Sequence, residues 1–143
     1  MGARTRRQVL AGAAAGAVSA APWSTLSAAP TEAERTFIAE AERMRREAVA
    51  TGDQPYGAVV VKDGRIVGYG PSRVVTQRNP EARAERVAIW DAQARLGIKD
   101  LSGAVLYSTS RPCSACESAA AQTNVARMLH GPAATDAGKT QRR

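Results

Sequence analysis

Between residues 58 and 129 the chain alternates β-rich runs with helical segments, and this alternation constrains the possible folds more than any other feature. In chain order the segments are 58–61, 66–69, 81–96 (helical), 104–107, 113–123 (helical) and 125–129. Such an alternation favours parallel connections and helices on both faces of one sheet. We therefore predict an α/β fold, a three-layer α-β-α sandwich around a mixed sheet of about four strands.

Local sequence signals predict where several of these elements begin or turn. Thr31 opens a capping-box sequence, which predicts the start of an amphipathic helix. Asp63 and Gly64 separate two β-rich runs, and Asp-Gly in that setting is a strong hairpin signal. Asn79 is an expected N-cap for a second helix that begins at Glu81.

The N-terminus has the features of a secretory signal. Arg6 and Arg7 precede an apolar run, Val9 to Ala20, that is too short to span a bilayer, and small residues beyond it offer cleavage points. The sequence resembles a twin-arginine export signal. It predicts a bacterial protein exported to the periplasm, with no stable membrane insertion after signal removal. Three parts are expected: an export signal (1–30), a folded domain (31–131) and a flexible basic tail (132–143).

Composition argues against a nucleic-acid partner. The formal net charge is +7, and removal of the three arginines that precede the first acidic residue lowers it to +4. Further basic residues lie in the predicted tail, which leaves few for a folded basic patch. Aromatic residues make up 4% of the chain, too few for a ladder on which single-stranded bases could stack. A small molecule is therefore the expected partner.

The two cysteines of the chain lie three residues apart in a Pro-Cys-x-x-Cys sequence. Cys113 and Cys116 would share one face of the first turn of a helix, where the helix dipole favours thiolate. This spacing is compatible with half of a zinc site, with a redox pair and with a structural disulfide. The spacing alone leaves all three readings open.

Together with an upstream segment, the cysteine motif resembles the H-x-E…P-C-x-x-C signature of the zinc-dependent cytidine deaminase-like superfamily, of the CMP/dCMP type. The upstream segment is Asn79 to Glu85, and it matches except at the His. The resemblance implies the cytidine deaminase-like fold, shortened at the C-terminus, and zinc as cofactor, with Cys113 and Cys116 as metal ligands. It also implies Glu85 as the catalytic proton shuttle, a nucleobase or nucleoside as partner, and a possible homodimer.

Arg83 occupies the position of the zinc-binding His in this resemblance. A guanidinium keeps its proton and offers no lone pair, so Arg83 cannot coordinate zinc. Three functions stay open. The first is zinc-dependent hydrolytic removal of an exocyclic amine from a purine or pyrimidine base. The second is a catalytically inactive deaminase-fold protein with an incomplete zinc site, and the third is a disulfide or redox element formed by the two cysteines.

The resemblance also implies residues that contact the substrate. Tyr56 lies in a segment whose aromatic ring helps to wall the base pocket in relatives, and Ser72 stands where many relatives have Asn. The backbone N–H of Ala84, or that of Cys113 at the start of its helix, is expected to orient the base or the water. His130, the one histidine, is expected at the far end of the last strand as a half-exposed structural residue.

Overall fold

The computed structural model describes residue 16 and residues 28–140. Most of the predicted export signal and the last three residues of the predicted tail therefore lie outside the described residues. Within them are three helices and five strands, in the order α1 (Glu32–Ala50), β1 (Gly57–Lys62), β2 (Arg65–Pro71), α2 (Ala84–Leu96), β3 (Val105–Ser108), α3 (Ser114–Gln122), β4 (Arg127–His130) and β5 (Thr135–Lys139).

The five strands form one mixed sheet in the order β2-β1-β3-β4-β5. Strand β1 is antiparallel to both β2 and β3, whereas β3 and β4 are parallel neighbours. Helix α2 connects β2 to β3 across β1, and α3 connects β3 to β4. The predicted α/β class and mixed sheet are confirmed.

Helix α1 covers one face of the sheet. Its residues Ala41 and Met44 pack with Val59, Val61 and Tyr107 from the central strands. The capping box is present: the Thr31 hydroxyl accepts from the Glu34 N–H, and the Glu34 side chain accepts from the Thr31 N–H. These bonds satisfy two of the helix's orphan donors, so the local signal at Thr31 is confirmed.

Helices α2 and α3 cover the opposite face. The buried cluster there joins Ala84, Ala88 and Ala92 of α2 to Val60 and Leu106 of the sheet, among others. Small side chains on α2 let it lie very close to β2. A Cβ at Gly68 would come within 2.7 Å of the Ala92 Cβ, closer than real Cβ contacts. One helix on one face and two on the other complete the predicted three layers.

The predicted hairpin joins β1 to β2. Asp63 and Gly64 have φ angles of 51° and 74°, the left-handed conformation that a tight two-residue turn requires. At the outer edge of β2, Pro71 offers no N–H, and the Tyr69 N–H donates to Asp91 Oδ2 at 2.8 Å. This edge strand therefore presents few free donors to another chain.

Helix α2 begins three residues later than predicted. Asn79 caps a turn instead, because its side-chain oxygen accepts from the Glu81 N–H and its carbonyl accepts from the Ala82 N–H. Arg83 is the N-cap of α2 and makes no side-chain capping bond.

The sheet has five strands where about four were expected, because residues 135–139, which were expected in the tail, form β5. This strand pairs antiparallel with β4 and covers its outer edge. Gly131 makes the reversal possible with a φ of 72°, and Arg127 pairs with Asp136 across the two strands. The strand has no alternating apolar pattern, so its sequence carries little signal. None of the described helices is long and apolar enough to cross a membrane.

Candidate functional site

A buried carboxylate stands at the start of α2, close to the carboxyl end of β3. Glu85 is 4% exposed, and its Oε1 accepts a hydrogen bond of 2.9 Å from the hydroxyl of Ser108, the last residue of β3. Ser108 is itself buried, at 3% exposed. A buried carboxylate without a donor would be costly, so this bond holds Glu85 in place.

The two cysteines begin α3 beside this carboxylate. Cys113 is the N-cap, and its Sγ accepts from the Cys116 N–H at 3.4 Å. The two Sγ atoms are 3.1 Å apart, and both residues are free cysteines. The Cys116 thiol is fully buried and donates to Glu85 Oε2 at 3.7 Å. The starts of α2 and α3 thus bring Glu85 and both sulfurs together, although Glu85 and Cys113 are 28 residues apart in sequence.

The pKa values of the two thiols are shifted in opposite directions. Burial favours the neutral form of Cys113, but hydrogen bonds from Cys116 and the positive charge of Arg83 outweigh it, so the Cys113 pKa is lowered. Burial and the negative charge of Glu85 raise the pKa of Cys116, against the pull of Arg83. The guanidinium of Arg83 therefore acts on both sulfurs.

The residues of this site do not fit a zinc ion. Catalytic zinc takes three protein ligands and a water. Within residues 28–140, no group of three or more His, Cys, Asp or Glu side chains is placed to hold a metal ion. Arg83 is exposed at the N-cap of α2, its guanidinium has no lone pair to offer a cation, and its positive charge favours the thiolate form of both cysteines.

The remaining residues singled out in the sequence have different surroundings. Ala84 is buried in the first turn of α2, where backbone N–H groups lack helical partners. Tyr56 is 36% exposed and immediately precedes β1. Ser72 is 1% exposed, and its hydroxyl donates to Asp53 Oδ1 at 2.9 Å. His130 ends β4 half-buried, beside Ser108 in the strand register.

Sequence reasoning missed Asp53 and Ser108. Asp53 is 9% exposed and accepts hydrogen bonds from the backbone and hydroxyl of Thr76 and from the Val75 N–H, in addition to that from Ser72. It fixes the loop between β2 and α2. These partners are 19 to 23 residues away in sequence, so no local pattern could have revealed them.

Residues 31–131 match the family model described as the cytidine and deoxycytidylate deaminase zinc-binding region. This match covers more than half of the chain, and the protein therefore belongs to that deaminase family. The predicted cytidine deaminase-like superfamily and α/β fold are both confirmed.

Individual relatives support the same assignment. The chain is 35% identical over 105 residues to a guanine deaminase of Bacillus subtilis (strain 168), covering 73% of this chain and 67% of the relative. It is 34% identical over 93 residues to a tRNA-specific adenosine deaminase of Aquifex aeolicus (strain VF5), covering 65% of this chain and 62% of that enzyme. The chain thus spans less than two thirds of the Aquifex protein.

Solved structures agree in fold. A structure from work on A-to-I editing by tRNA:A34 deaminases has a TM-score of 0.65 at 33% identity, covering 67% of this chain and 70% of that one. The X-ray structure of the Bacillus subtilis guanine deaminase has a TM-score of 0.64 at 35% identity, covering 67% of this chain and 62% of that one.

Proposed function

We propose that this protein is a nucleobase-binding member of the deaminase family in which hydrolytic deamination has been lost. The observation that carries the proposal is Arg83 itself: the residue at the motif position that the resemblance assigns to the zinc-binding His offers no lone pair to a metal. Of the three functions considered from the sequence, the proposal therefore selects the catalytically inactive deaminase-fold protein over the active zinc hydrolase.

Loss of hydrolysis follows from the donor set. With Glu85 assigned as the proton shuttle and not as a ligand, the two thiols are one ligand short of the three that a catalytic zinc requires, and the positive charge of Arg83 adds repulsion. Without a metal, the pKa of water stays near 15.7, and hydroxide is scarce at neutral pH. Glu85 alone would then have no activated nucleophile to deprotonate.

Binding of a base requires hydrogen-bonding groups but no activated water. Glu85 is a buried acceptor that could take a ring N–H, while the free backbone N–H groups of the first turn of α2, including that of Ala84, could donate to a ring nitrogen or carbonyl. Tyr56 is proposed to wall the base. The hydrogen of the Ser72 hydroxyl is engaged by Asp53, so Ser72 is left out of the proposed contacts.

Export belongs to the same proposal. The twin-arginine signal would carry the folded protein to the periplasm, where small bases and nucleosides are available and tRNA is not. Purines are the first ligands to test, because relatives include a guanine deaminase and tRNA-specific adenosine deaminases. A homodimer is proposed on the same family grounds.

The test compares the wild type with Arg83→His. Both proteins are purified with zinc available, and zinc content is measured together with ammonia release from cytosine, guanine, adenine and their nucleosides. The wild type is expected to hold little zinc and release no ammonia above background, while Arg83→His approaches about one zinc per chain and gains turnover. Arg83→Lys is the matched control, because it keeps the positive charge and should gain neither.

Base binding is measured on the same proteins by calorimetry, with Glu85→Gln as the variant that removes the carboxylate. The wild type should bind at least one of the six compounds, and Glu85→Gln should bind it about tenfold more weakly. Equal zinc and turnover in the wild type and Arg83→His would overturn the loss of hydrolysis. Binding to none of the compounds, or to tRNA alone, would overturn small-base recognition.

A further inference from the structure

The sulfurs of Cys113 and Cys116 are already close to bonding distance. They are 3.1 Å apart, whereas a disulfide bond is about 2.0 Å long, so closure needs an approach of only about 1 Å. Cys113 is the N-cap of α3 and Cys116 lies in its first turn. The hydrogen bond from the Cys116 N–H to the Cys113 Sγ holds the two residues side by side. The pair can therefore close without rearrangement of the sheet.

The two sulfurs differ in their access to solvent. Cys113 is partly exposed, and Arg111, Ser114 and Ala115 around it are exposed. Cys116 has no exposed surface. A reagent from solvent can therefore reach Cys113 first, while Cys116 can react only with the neighbouring sulfur.

We propose that Cys113 and Cys116 form a reversible dithiol–disulfide pair that exchanges with small-molecule disulfides. The inference rests on the proposed function in one respect, which is that the two thiols carry no metal. It goes beyond that function because a base-binding site requires no thiol chemistry.

The exchange has two steps, and its atoms and electrons balance. The Cys113 sulfur attacks a disulfide R–S–S–R, which forms a protein–S–S–R bond and breaks the original bond, so that one R–SH leaves with the first proton. The Cys116 sulfur then attacks the Cys113 sulfur, and the second R–SH leaves with the second proton. The protein loses two electrons and two protons, and the small disulfide gains them.

The experiment uses oxidised glutathione on the full-length wild type, Cys113→Ser and Cys116→Ser. Free thiols and intact mass are followed with and without a zinc chelator, and each protein is first checked for native circular dichroism. The wild type should lose both thiols and two hydrogens without retaining glutathione. Cys116→Ser should retain one glutathione at Cys113, and Cys113→Ser should react on the order of tenfold more slowly than either. Cys116→Ala repeats the trapping test if the buried serine prevents folding.

The outcomes separate this inference from the proposed function. Thiols that react only after chelation mean bound metal, which overturns the proposed function and the inference with it. Thiols that are free without chelator but never close to a disulfide overturn the inference alone. Equal rates for Cys113→Ser and the wild type would overturn the assignment of Cys113 as the attacking sulfur. Restoration of both thiols by dithiothreitol completes the expected result, and failure to restore them would overturn reversibility.

Discussion

At the scale of single residues, Asp53 holds the loop that leads from β2 into α2, the helix that carries Glu85. Its Oδ1 accepts from Gln54 and Ser72, and its Oδ2 accepts from Val75 and Thr76. Burial alone would raise the pKa of this carboxyl, but the hydrogen bonds from Thr76, Gln54 and Ser72 favour the ionised form and lower the pKa from 3.8 to about 2. The loop between β2 and α2 thus depends on one negative charge.

A pH dependence of stability follows from this shift. Because the folded pKa lies below the unfolded one, the contribution of Asp53 is complete above about pH 4 and is lost as the pH falls toward 2. Asp53→Asn should lower the free energy of unfolding by about 2 kcal/mol at pH 7 and flatten its decline between pH 4 and 2. Urea unfolding across this pH range is the measurement. Asp63→Asn in the exposed hairpin is the control and should leave the decline unchanged; a decline as steep in Asp53→Asn as in the wild type would contradict the assignment.

The candidate site residues could be identified from the sequence more readily than the residues that hold them in place. Cys113, Cys116 and Glu85 belong to short motifs, and the structure brings Glu85 within 3.7 Å of the Cys116 sulfur. Ser108, which binds Glu85 from 23 residues away, belongs to no motif. A serine at the end of a strand is common, and only tertiary packing gives this one its role.

At the scale of elements, the position of Glu85 depends on how closely α2 lies against β2. A Cβ at Gly70 would overlap the Ala84 carbonyl oxygen and would come within 2.8 Å of the Ala88 Cβ. Gly57 plays the same part for α1, where a Cβ would lie 2.8 Å from the carbonyl carbon of Met44. Glycines in these strands therefore set the spacing between layers.

Gly70→Ala should push α2 away from the sheet at the turn that carries Glu85. We expect a loss of about 3 kcal/mol in the free energy of unfolding, measured by urea denaturation, and about tenfold weaker binding of any base that the wild type binds. Gly103→Ala is the matched control. That glycine has a φ of 81° but open space around its Cβ position, so the same change should cost only about 1 kcal/mol and leave binding intact. Equal losses in the two variants would contradict close packing as the cause.

Elements with strong local chemistry were predicted well. The capping box at Thr31 and the Asp63-Gly64 turn are stabilised by bonds and backbone angles that involve only neighbouring residues. The start of α2 was missed because Asn79 can cap either a helix or a turn, and the chain uses it for a turn. Propensity cannot distinguish these two uses.

At the scale of the whole molecule, β5 determines whether β4 is an interior strand or an edge strand of the sheet. It pairs with β4, and its Ala137 packs against the core cluster beneath α2 and α3. The Thr140 hydroxyl also donates to the Val125 carbonyl at 2.8 Å. This segment is part of the fold although its sequence is small, polar and poor in β-formers.

Deletion of residues 132–143 should therefore destabilise the domain and promote association. The exposed edge of β4 would lose its ladder, which we expect to lower the free energy of unfolding by about 2 kcal/mol. Urea unfolding and light scattering are the measurements. Asp136→Asn is the control: it removes the exposed ion pair with Arg127, its amide oxygen can still accept from the Gly138 N–H, and it should cost less than about 0.5 kcal/mol. A deletion variant as stable and monodisperse as the wild type would show that β5 is dispensable.

The bond between Ser108 and Glu85 has an evolutionary consequence. Replacing the glutamate would strand a buried hydroxyl at 3% exposure, a defect of about 1–3 kcal/mol that selection for a folded protein would oppose whether or not turnover mattered. Selection for folding alone can therefore retain Glu85, so its presence does not by itself indicate turnover. Under the proposed loss of hydrolysis, the residue at position 83 is a better indicator of activity than Glu85.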